Sequence, residues 1–257
     1  MMDAGRLTVN DLGKMWQNRQ WALRHVSFTV PKGQFVVVLG PSGAGKSTLM
    51  YCLNRLTPPS EGSVSLGEVN LTALPHRQAV RARRKIGYIF QQFNLIQTYT
   101  VRQNVLASRI GHNPWWRNAS QCYTREDHQV VERCVEEVGL LDKIDQRADR
   151  LSGGQQQRVA IARAMAQEPD IILADEPMAS LDPKLARIVL DLLARHSREQ
   201  GITVIVNLHV LELARNYGQR IIGLTDGQLM FDGTADELTR ETVAAIYKDA
   251  PDEERPY

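Results

Sequence analysis

Three features are scarce in this sequence, and each scarcity argues against a class of protein. The 257 residues include only three cysteines (Cys52, Cys122 and Cys134), an odd and scattered set that fits neither a disulfide framework nor a metal site. No apolar run approaches the roughly 20 residues that a helix needs to cross a bilayer. Lysine and arginine exceed aspartate and glutamate by only 31 to 29, so bulk charge does not indicate a nucleic-acid-binding protein. We therefore expect a cytosolic chain with reduced thiols.

The remaining composition is that of a globular protein. Hydrophobic residues make up 43% of the chain and charged residues 23%, which is neither a disordered nor a membrane-embedded composition. A chain of 257 residues is long enough for one α/β domain with a large core, or for such a core with a smaller lobe.

A glycine-rich loop is the feature around which the rest of the chain is organised. It fits the phosphate-binding pattern G-x-x-x-x-G-K-[ST] at every fixed position. The apolar run at 35–39 is typical of a buried strand, and the residues after Lys46 have helical spacing. In such a loop the backbone N–H groups point at phosphates, Lys46 reaches the β- and γ-phosphates, and the Ser47 hydroxyl helps to hold Mg²⁺. The sequence therefore predicts a nucleotide triphosphate site formed by Gly40, Pro41, Ser42, Gly43, Ala44, Gly45, Lys46, Ser47 and Thr48.

Two carboxylates follow a second buried strand. Residues 171–174 form an unbroken apolar run, and Asp175 and Glu176 come directly after it. Because the carboxyl ends of parallel strands meet at one edge of a sheet, we expect Asp175 beside the phosphate loop, where it binds Mg²⁺ directly or through water. Glu176, one residue further on, is placed to polarise an attacking water as general base.

The rest of the chain divides by pattern into strand-rich and helical stretches. Residues 6–37 are rich in strand signals, whereas 95–150 lack buried-strand runs and show helical periodicity. Trp16 flanks a turn ahead of the phosphate loop, and the sequence leaves two interpretations open: packing at a sheet edge, or stacking on an adenine ring. The adjacent Trp115 and Trp116 either cap the core of the helical stretch or contact a partner.

A second helix start carries a serine and two glycines. Leu151-Ser152-Gly153-Gly154-Gln155 opens a helix, and such a start is a surface suited to an anion. One nucleotide does not easily reach two such helix ends on one molecule, whereas a head-to-tail pair of chains would place each nucleotide between one loop and the other chain's Ser-Gly-Gly turn. The alternative is an ordinary capped helix.

These motifs, together with His209, occur in the order and spacing of the ATP-binding-cassette ATPases, and the sequence resembles that family over about residues 6–235. The Leu-Ser-Gly-Gly-Gln segment is highly specific to the family. The resemblance implies an α/β fold in which two such cassettes sandwich two ATP molecules. Its parts are a RecA-like phosphate-loop core with an antiparallel β-subdomain (6–94 and 156–235), an inserted helical subdomain (95–155), and a C-terminal helix and tail (236–257).

The resemblance also implies roles for individual residues. Trp16 matches the aromatic that stacks on adenine, and Gln91 matches the glutamine that senses Mg²⁺ and the attacking water near the membrane partner. Glu176 matches the catalytic base and His209 the switch histidine. The family often has a polar or acidic residue after this histidine, whereas Val210 stands there in this chain.

The family resemblance assigns a further group of residues to the second chain of the sandwich. Ser152, Gly153, Gly154 and Gln155 match the contacts to the opposite γ-phosphate. Asp182 matches a loop that couples the two ATP sites.

Several segments resemble, more narrowly, the ATPase subunits of phosphonate importers: 90–96, 114–117, 146–149, 220–224 and 231–233. That resemblance implies an ATPase homodimer at the cytoplasmic face of a bacterial inner membrane. It would power two integral membrane permease subunits and be served by a periplasmic binding protein for phosphonate, phosphite or a related anion. The alternatives are an ATPase of an export or envelope system, a non-transport ATPase in phosphonate breakdown, and a soluble mechanical ATPase. The last usually carries two cassettes, coiled coils or zinc modules, which this chain lacks.

Overall fold

The computed structural model describes residues 5–17, 19–112, 123–178 and 181–248. The strands are β1 Leu7–Met15, β2 Trp21–Val30, β3 Phe35–Leu39, β4 Glu61–Leu66, β5 Val69–Asn70, β6 Ile86–Ile89, β7 Ile171–Ala174, β8 Thr203–Asn207, β9 Arg220–Thr225 and β10 Gln228–Gly233. The α-helices are α1 Lys46–Leu53, α2 His76–Ala82, α3 Val101–Leu106, α4 Arg125–Glu137, α5 Gly153–Met165, α6 Pro183–Gln200, α7 Leu211–Tyr217 and α8 Arg240–Ile246. The predictions made for 114–117, Cys122 and the tail 249–257 fall outside the described residues.

A six-stranded sheet in the order β10-β9-β3-β8-β7-β6 forms the centre of the molecule. The pairs from β9 through β6 are parallel, and β10 closes one edge as an antiparallel hairpin with β9. Strands β3, β7 and β8 are buried along their whole length, and β3 and β7 are accordingly unbroken apolar runs in the sequence. The register aligns Ile89 with Ala174 and Ala174 with Val206. The residues that follow β6, β7 and β8 therefore meet at one edge.

A second sheet covers the phosphate-loop side of the first. Strands β2, β1, β4 and β5 pair antiparallel in that order. A hydrophobic cluster joins this sheet, α1 and one face of the central strands, with Val36 and Val38 of β3 completely buried in it. Leu12 and Leu49 are completely buried in the same cluster. The phosphate loop is thus held between two sheets that share one core.

Helices α3, α4 and α5 lie between β6 and β7 along the chain. They pack against one another around the buried side chains of Val105, Val131 and Ile161. Each begins at a reciprocal capping box, formed by Thr100, Thr124 and Ser152 with the residue three positions on. Among the described residues, no helix combines the length and the apolar character needed to cross a membrane.

A buried ion pair between Arg109 and Asp127 connects these helices to the segment that precedes β7. Arg109 donates from Nε to Asp127 at 2.8 Å, and its Nη1 donates to the Ala166 carbonyl at 3.0 Å and to Glu168 at 2.7 Å. The side chains of Arg109 and Asp127 are only 5% and 3% exposed. The guanidinium therefore connects the turn after α3, the first turn of α4 and the end of α5.

We expect Arg109→Met to lower the free energy of unfolding by about 3–5 kcal/mol, because it leaves the Asp127 carboxylate buried without its cation. Urea denaturation of the full chain measures this. The matched control is Arg187→Met, whose partner Glu212 is 68% exposed and whose own side chain is 60% exposed, so a loss below about 1 kcal/mol is expected. Equal losses in the two variants would contradict the structural role given to Arg109.

Candidate active site

The phosphate loop depends on two glycines whose backbone no other residue adopts without strain. Gly40 has φ 151° and Gly45, at the start of α1, has φ 99°. A Cβ atom on Gly40 would lie 2.2 Å from the carbonyl oxygen of Leu224, and one on Gly45 would lie 2.4 Å from that of Ala22. The loop therefore fits between β9 and β2 only with glycine at both positions.

Lys46 lies inside this loop. Its Nζ donates to the carbonyl oxygens of Gly40 at 2.7 Å and Pro41 at 2.9 Å, and the residue is 5% exposed. The loop opens into a cavity of about 360 Å³. The described residues that line it are Trp16, Gln20, Trp21, Ala22, Ser42, Gly43, Gly45, Lys46, Ser47, Thr48 and Glu176. A cation and the N-terminal end of α1 thus face one cavity, an arrangement that suits a polyanion.

Trp16 lies on the wall of the same cavity rather than in a core. The residue is 41% exposed, and Lys14 Nζ lies 5.0 Å from the centroid of the indole. Trp16 stands at the β1–β2 turn, where its N–H donates to the carbonyl of Gln20 at 2.9 Å. The ring is therefore available for stacking from the cavity side.

Asp175 is the centre of a buried polar layer beneath the cavity. Its Oδ1 accepts from Ser47 Oγ at 3.0 Å and from Asn207 Nδ2 at 2.6 Å, and its Oδ2 accepts from Tyr88 OH at 3.4 Å. Burial raises the pKa of Asp175, against the opposing effect of the Asn207 and Ser47 hydrogen bonds. The predicted proximity of Asp175 to the phosphate loop is thus present as a direct contact with Ser47.

Sequence reasoning missed two members of this layer. Asn207 directly follows the β-branched run 202–206, as Asp175 follows the apolar run 171–174, so a polar residue at the end of a strand pattern was a usable signal. Tyr88 lies within β6, where an aromatic residue ordinarily packs against its neighbours. Nothing in the sequence predicts that its hydroxyl contacts Asp175.

Glu176 is the centre of a second, more exposed layer. Its Oε1 accepts from His209 Nε2 at 2.6 Å and its Oε2 from Gln91 Nε2 at 2.7 Å. The hydrogen bond from His209 holds the pKa of Glu176 below its ordinary value, against the opposing effect of partial burial. Glu176 therefore remains a carboxylate at neutral pH and joins the residues that follow β6, β7 and β8.

The other predicted residues lie apart from this cavity. Ser152 caps α5 by accepting from the Gln155 N–H at 3.4 Å, and Ser152 and Gly153 are exposed. Asp182 caps α6 by accepting from the N–H groups of Lys184 and Leu185, at 3.0 Å each. Among the described residues that line the cavity, none belongs to 152–155 and none is Asp182. The structure thus brings together one set of predicted residues and leaves the second set on the surface.

The family model, the curated relatives and the solved structures described here indicate the same family. Residues 23–179 match the ABC transporter family. The phosphonates import ATP-binding protein of Staphylococcus saprophyticus is 45% identical over 97% of this chain and 98% of its own length, and that of Rhodopseudomonas palustris is 48% identical over 94% and 89%. A solved dimeric ATP-binding cassette with ADP and Pi bound is 35% identical, with a TM-score of 0.80 over 89% of this chain and 98% of that chain.

The cassette structures have the RecA-like phosphate-loop fold that the sequence predicts, so that prediction is confirmed. The match to the family profile extends over more than half of the chain, from β2 to the residues that follow Glu176. The chain belongs to the ABC transporter family.

Proposed function

We propose that this chain is the ATP-hydrolysing subunit of a bacterial importer for phosphonates, phosphite or related phosphorus-containing anions. The observation that carries the proposal is the set of relatives named as phosphonates import ATP-binding proteins, which are 43–48% identical over 94–97% of this chain. The subunit works as a homodimer at the cytoplasmic face of the inner membrane. It powers two integral membrane permease subunits, and a periplasmic binding protein supplies the anion.

In this proposal the loop and Lys46 hold the β- and γ-phosphates of ATP, and Trp16 stacks on the adenine. Ser47 and Asp175 fit a Mg²⁺ ion, because both offer oxygen atoms and lie in contact at 3.0 Å. Among the described residues, no group of three or more His, Cys, Asp or Glu side chains could hold a metal ion. The bound ion supplies neutralisation of the phosphate charge.

The proposed catalytic group is Glu176, acting as general base on the attacking water. A base must be ionised to accept a proton, and the hydrogen bond from His209 favours the ionised form. Gln91 and His209 hold the two oxygens of the carboxylate from opposite neighbouring strands, which orients it. Gln91 also lies in the segment proposed to contact the permease.

In the proposed dimer, residues 152–155 and Asp182 of one chain complete the ATP site of the other chain. Ser152, Gly153, Gly154 and Gln155 contact the γ-phosphate held by the partner, and Asp182 couples the two sites. Exposure of Ser152 and Gly153 at a helix start supports this placement. In this proposal 95–155 is a helical subdomain that carries these contacts, 6–94 and 156–235 are the core with its β-subdomain, and 236–257 is a C-terminal helix and tail.

We expect His209→Ala to move the acidic limb of the pH–rate profile to higher pH. The reaction needs the Glu176 carboxylate, so activity is present above the pKa of that group and is lost as the pH falls through it. His209 lowers this pKa, and its removal raises the pH at which activity is lost. Steady-state ATPase profiles test this. The matched control is His25→Ala, whose pair with Asp11 is exposed and outside the site, and an equal displacement in both variants would contradict the role of His209.

Co-purification tests the importer assignment. The tagged chain is expressed with its native neighbours, extracted in mild detergent, and assayed for ATPase activity with a phosphonate-loaded binding protein. The expected result is recovery of an integral membrane subunit and stimulation by the loaded but not the empty binding protein. Recovery of only ribosomes, nucleic acid or C–P bond-cleaving enzymes would overturn the transport assignment and leave the ATPase chemistry intact.

A further inference from the structure

Two polar layers lie one above the other on the same three strands. The exposed layer consists of Gln91, Glu176 and His209, which follow β6, β7 and β8. The buried layer consists of Tyr88, Asp175 and Asn207, which lie on or directly after the same strands in the same order. Each strand therefore contributes one residue to each layer.

Asn207 is the unusual member of the buried layer. It is completely buried at the end of β8, and its Oδ1 has no hydrogen-bond partner among the described residues. A buried amide with an unsatisfied oxygen costs stability, whereas an apolar residue would continue the strand without that cost. The amide makes one hydrogen bond, from Nδ2 to Asp175 Oδ1 at 2.6 Å.

The hydrogen-bond donors around Asp175 differ in whether they can also bind a cation. The Ser47 hydroxyl donates its proton to Oδ1, which leaves the oxygen lone pairs of Ser47 available to a cation. Asn207 donates to the same Oδ1 through Nδ2, and an amide N–H group has no lone pair to offer a cation. Tyr88, 7% exposed, donates to the other carboxylate oxygen, Oδ2. Each oxygen of the carboxylate is thus held by a buried donor, Oδ1 by Asn207 and Oδ2 by Tyr88.

We propose that Asn207 and Tyr88 are positioning residues that fix the Asp175 carboxylate for the Mg²⁺ of bound nucleotide. The inference rests on the proposed function and deepens it. Residues that orient a metal ligand typically contribute a factor of 10–100 to metal affinity. Losing the amide of Asn207 frees the carboxylate to rotate about its χ angles, so the ion meets a ligand that is no longer oriented.

The test compares the wild-type chain with Asn207→Leu and Tyr88→Phe. A fluorescent ATP analogue is titrated in excess EDTA, and Mg²⁺ is then titrated at fixed nucleotide to find the concentration that gives half of the Mg²⁺-dependent signal. We expect Asn207→Leu to raise that concentration about tenfold or more, with nucleotide affinity in EDTA unchanged. Tyr88→Phe, which removes a longer hydrogen bond, is expected to raise it about threefold.

The matched control is Thr203→Val, at the opposite end of β8. Thr203 is completely buried, and its hydroxyl accepts from the Gly33 N–H at 3.0 Å, so the variant loses a buried hydrogen bond on the same strand without touching Asp175. It should leave the Mg²⁺ requirement unchanged. A general loosening of β8 would instead weaken nucleotide binding in EDTA and in Mg²⁺ alike, in both Asn207→Leu and Thr203→Val.

The outcomes separate this inference from the function on which it rests. If the wild-type chain binds nucleotide with no Mg²⁺ dependence, the proposed site fails. If the wild type depends on Mg²⁺ and both variants keep its Mg²⁺ requirement, the positioning role is wrong. If Asn207→Leu does not fold, Tyr88→Phe decides, because it removes a single oxygen atom from a ring that stays packed against Tyr51 and Phe90.

Discussion

Glu176→Gln is expected to lose nearly all ATP turnover and to retain ATP binding. Glutamine has the size of glutamate and can still accept one of the two hydrogen bonds through its amide oxygen, but it does not accept a proton. Removing a general base typically costs a factor of about 10²–10⁴ in rate. The phosphate loop and Lys46, which carry most of the contact with ATP in the proposed site, are untouched by the change.

Single-turnover hydrolysis and equilibrium ATP binding, measured on the same preparation, give the two quantities. The matched control is Glu137→Gln, because Glu137 also pairs with a histidine, His196, at 2.8 Å but lies on α4, away from the cavity. It should keep wild-type turnover. Turnover close to wild type in Glu176→Gln would remove Glu176 from the role of base, and lost ATP binding would make it a binding residue instead.

The sequence was sufficient where chemistry and secondary structure are both local. The phosphate loop is a contiguous pattern, and its strand and helix are visible on either side of it. Asp175 and Glu176 follow an apolar run, and the shared edge of parallel strands then places them near the loop. The structure contains the expected contact, from Ser47 to Asp175.

What the sequence did not predict depends on register and on side-chain direction. The pairing of Ile89 with Ala174 and of Ala174 with Val206 decides that Tyr88 and Asn207 reach Asp175. Neighbours along a chain do not specify which residues of another strand lie beside them. The guanidinium of Arg109 donates hydrogen bonds to Asp127, Ala166 and Glu168. The spacing of these residues in the sequence does not predict that they meet.

Position along the chain also does not show which predicted residues line one cavity and which lie apart from it. The segment 151–155 matches its family as clearly as the phosphate loop does, yet only the loop lines the cavity of about 360 Å³. A sequence pattern predicts a helix start suited to a phosphate without saying which chain's phosphate it would contact. Because Ser152 is exposed and apart from the cavity, its proposed contact with a phosphate is tested in the dimer.

Ser152→Asp is expected to weaken ATP-dependent dimer closure strongly while leaving the single chain intact. Aspartate caps a helix as well as serine does, so α5 keeps its start and its stability. The new carboxylate would face the γ-phosphate of the partner, and like charges brought together across an interface cost several kcal/mol. A loss of about 3 kcal/mol corresponds to a dimer weaker by roughly 150-fold.

Size-exclusion chromatography with ATP, in a chain that also carries Glu176→Gln to prevent hydrolysis, measures closure. Ser152→Asn is the matched control, because asparagine caps the helix equally well and adds no charge, so its dimer should stay within about tenfold of the parent. ATP binding by the monomer should be the same in all three chains. If Ser152→Asp weakens that monomeric binding, the segment contacts its own nucleotide. If its dimer forms as readily as that of Ser152→Asn, the head-to-tail arrangement is wrong, because a charge at residue 152 then meets no phosphate in either chain.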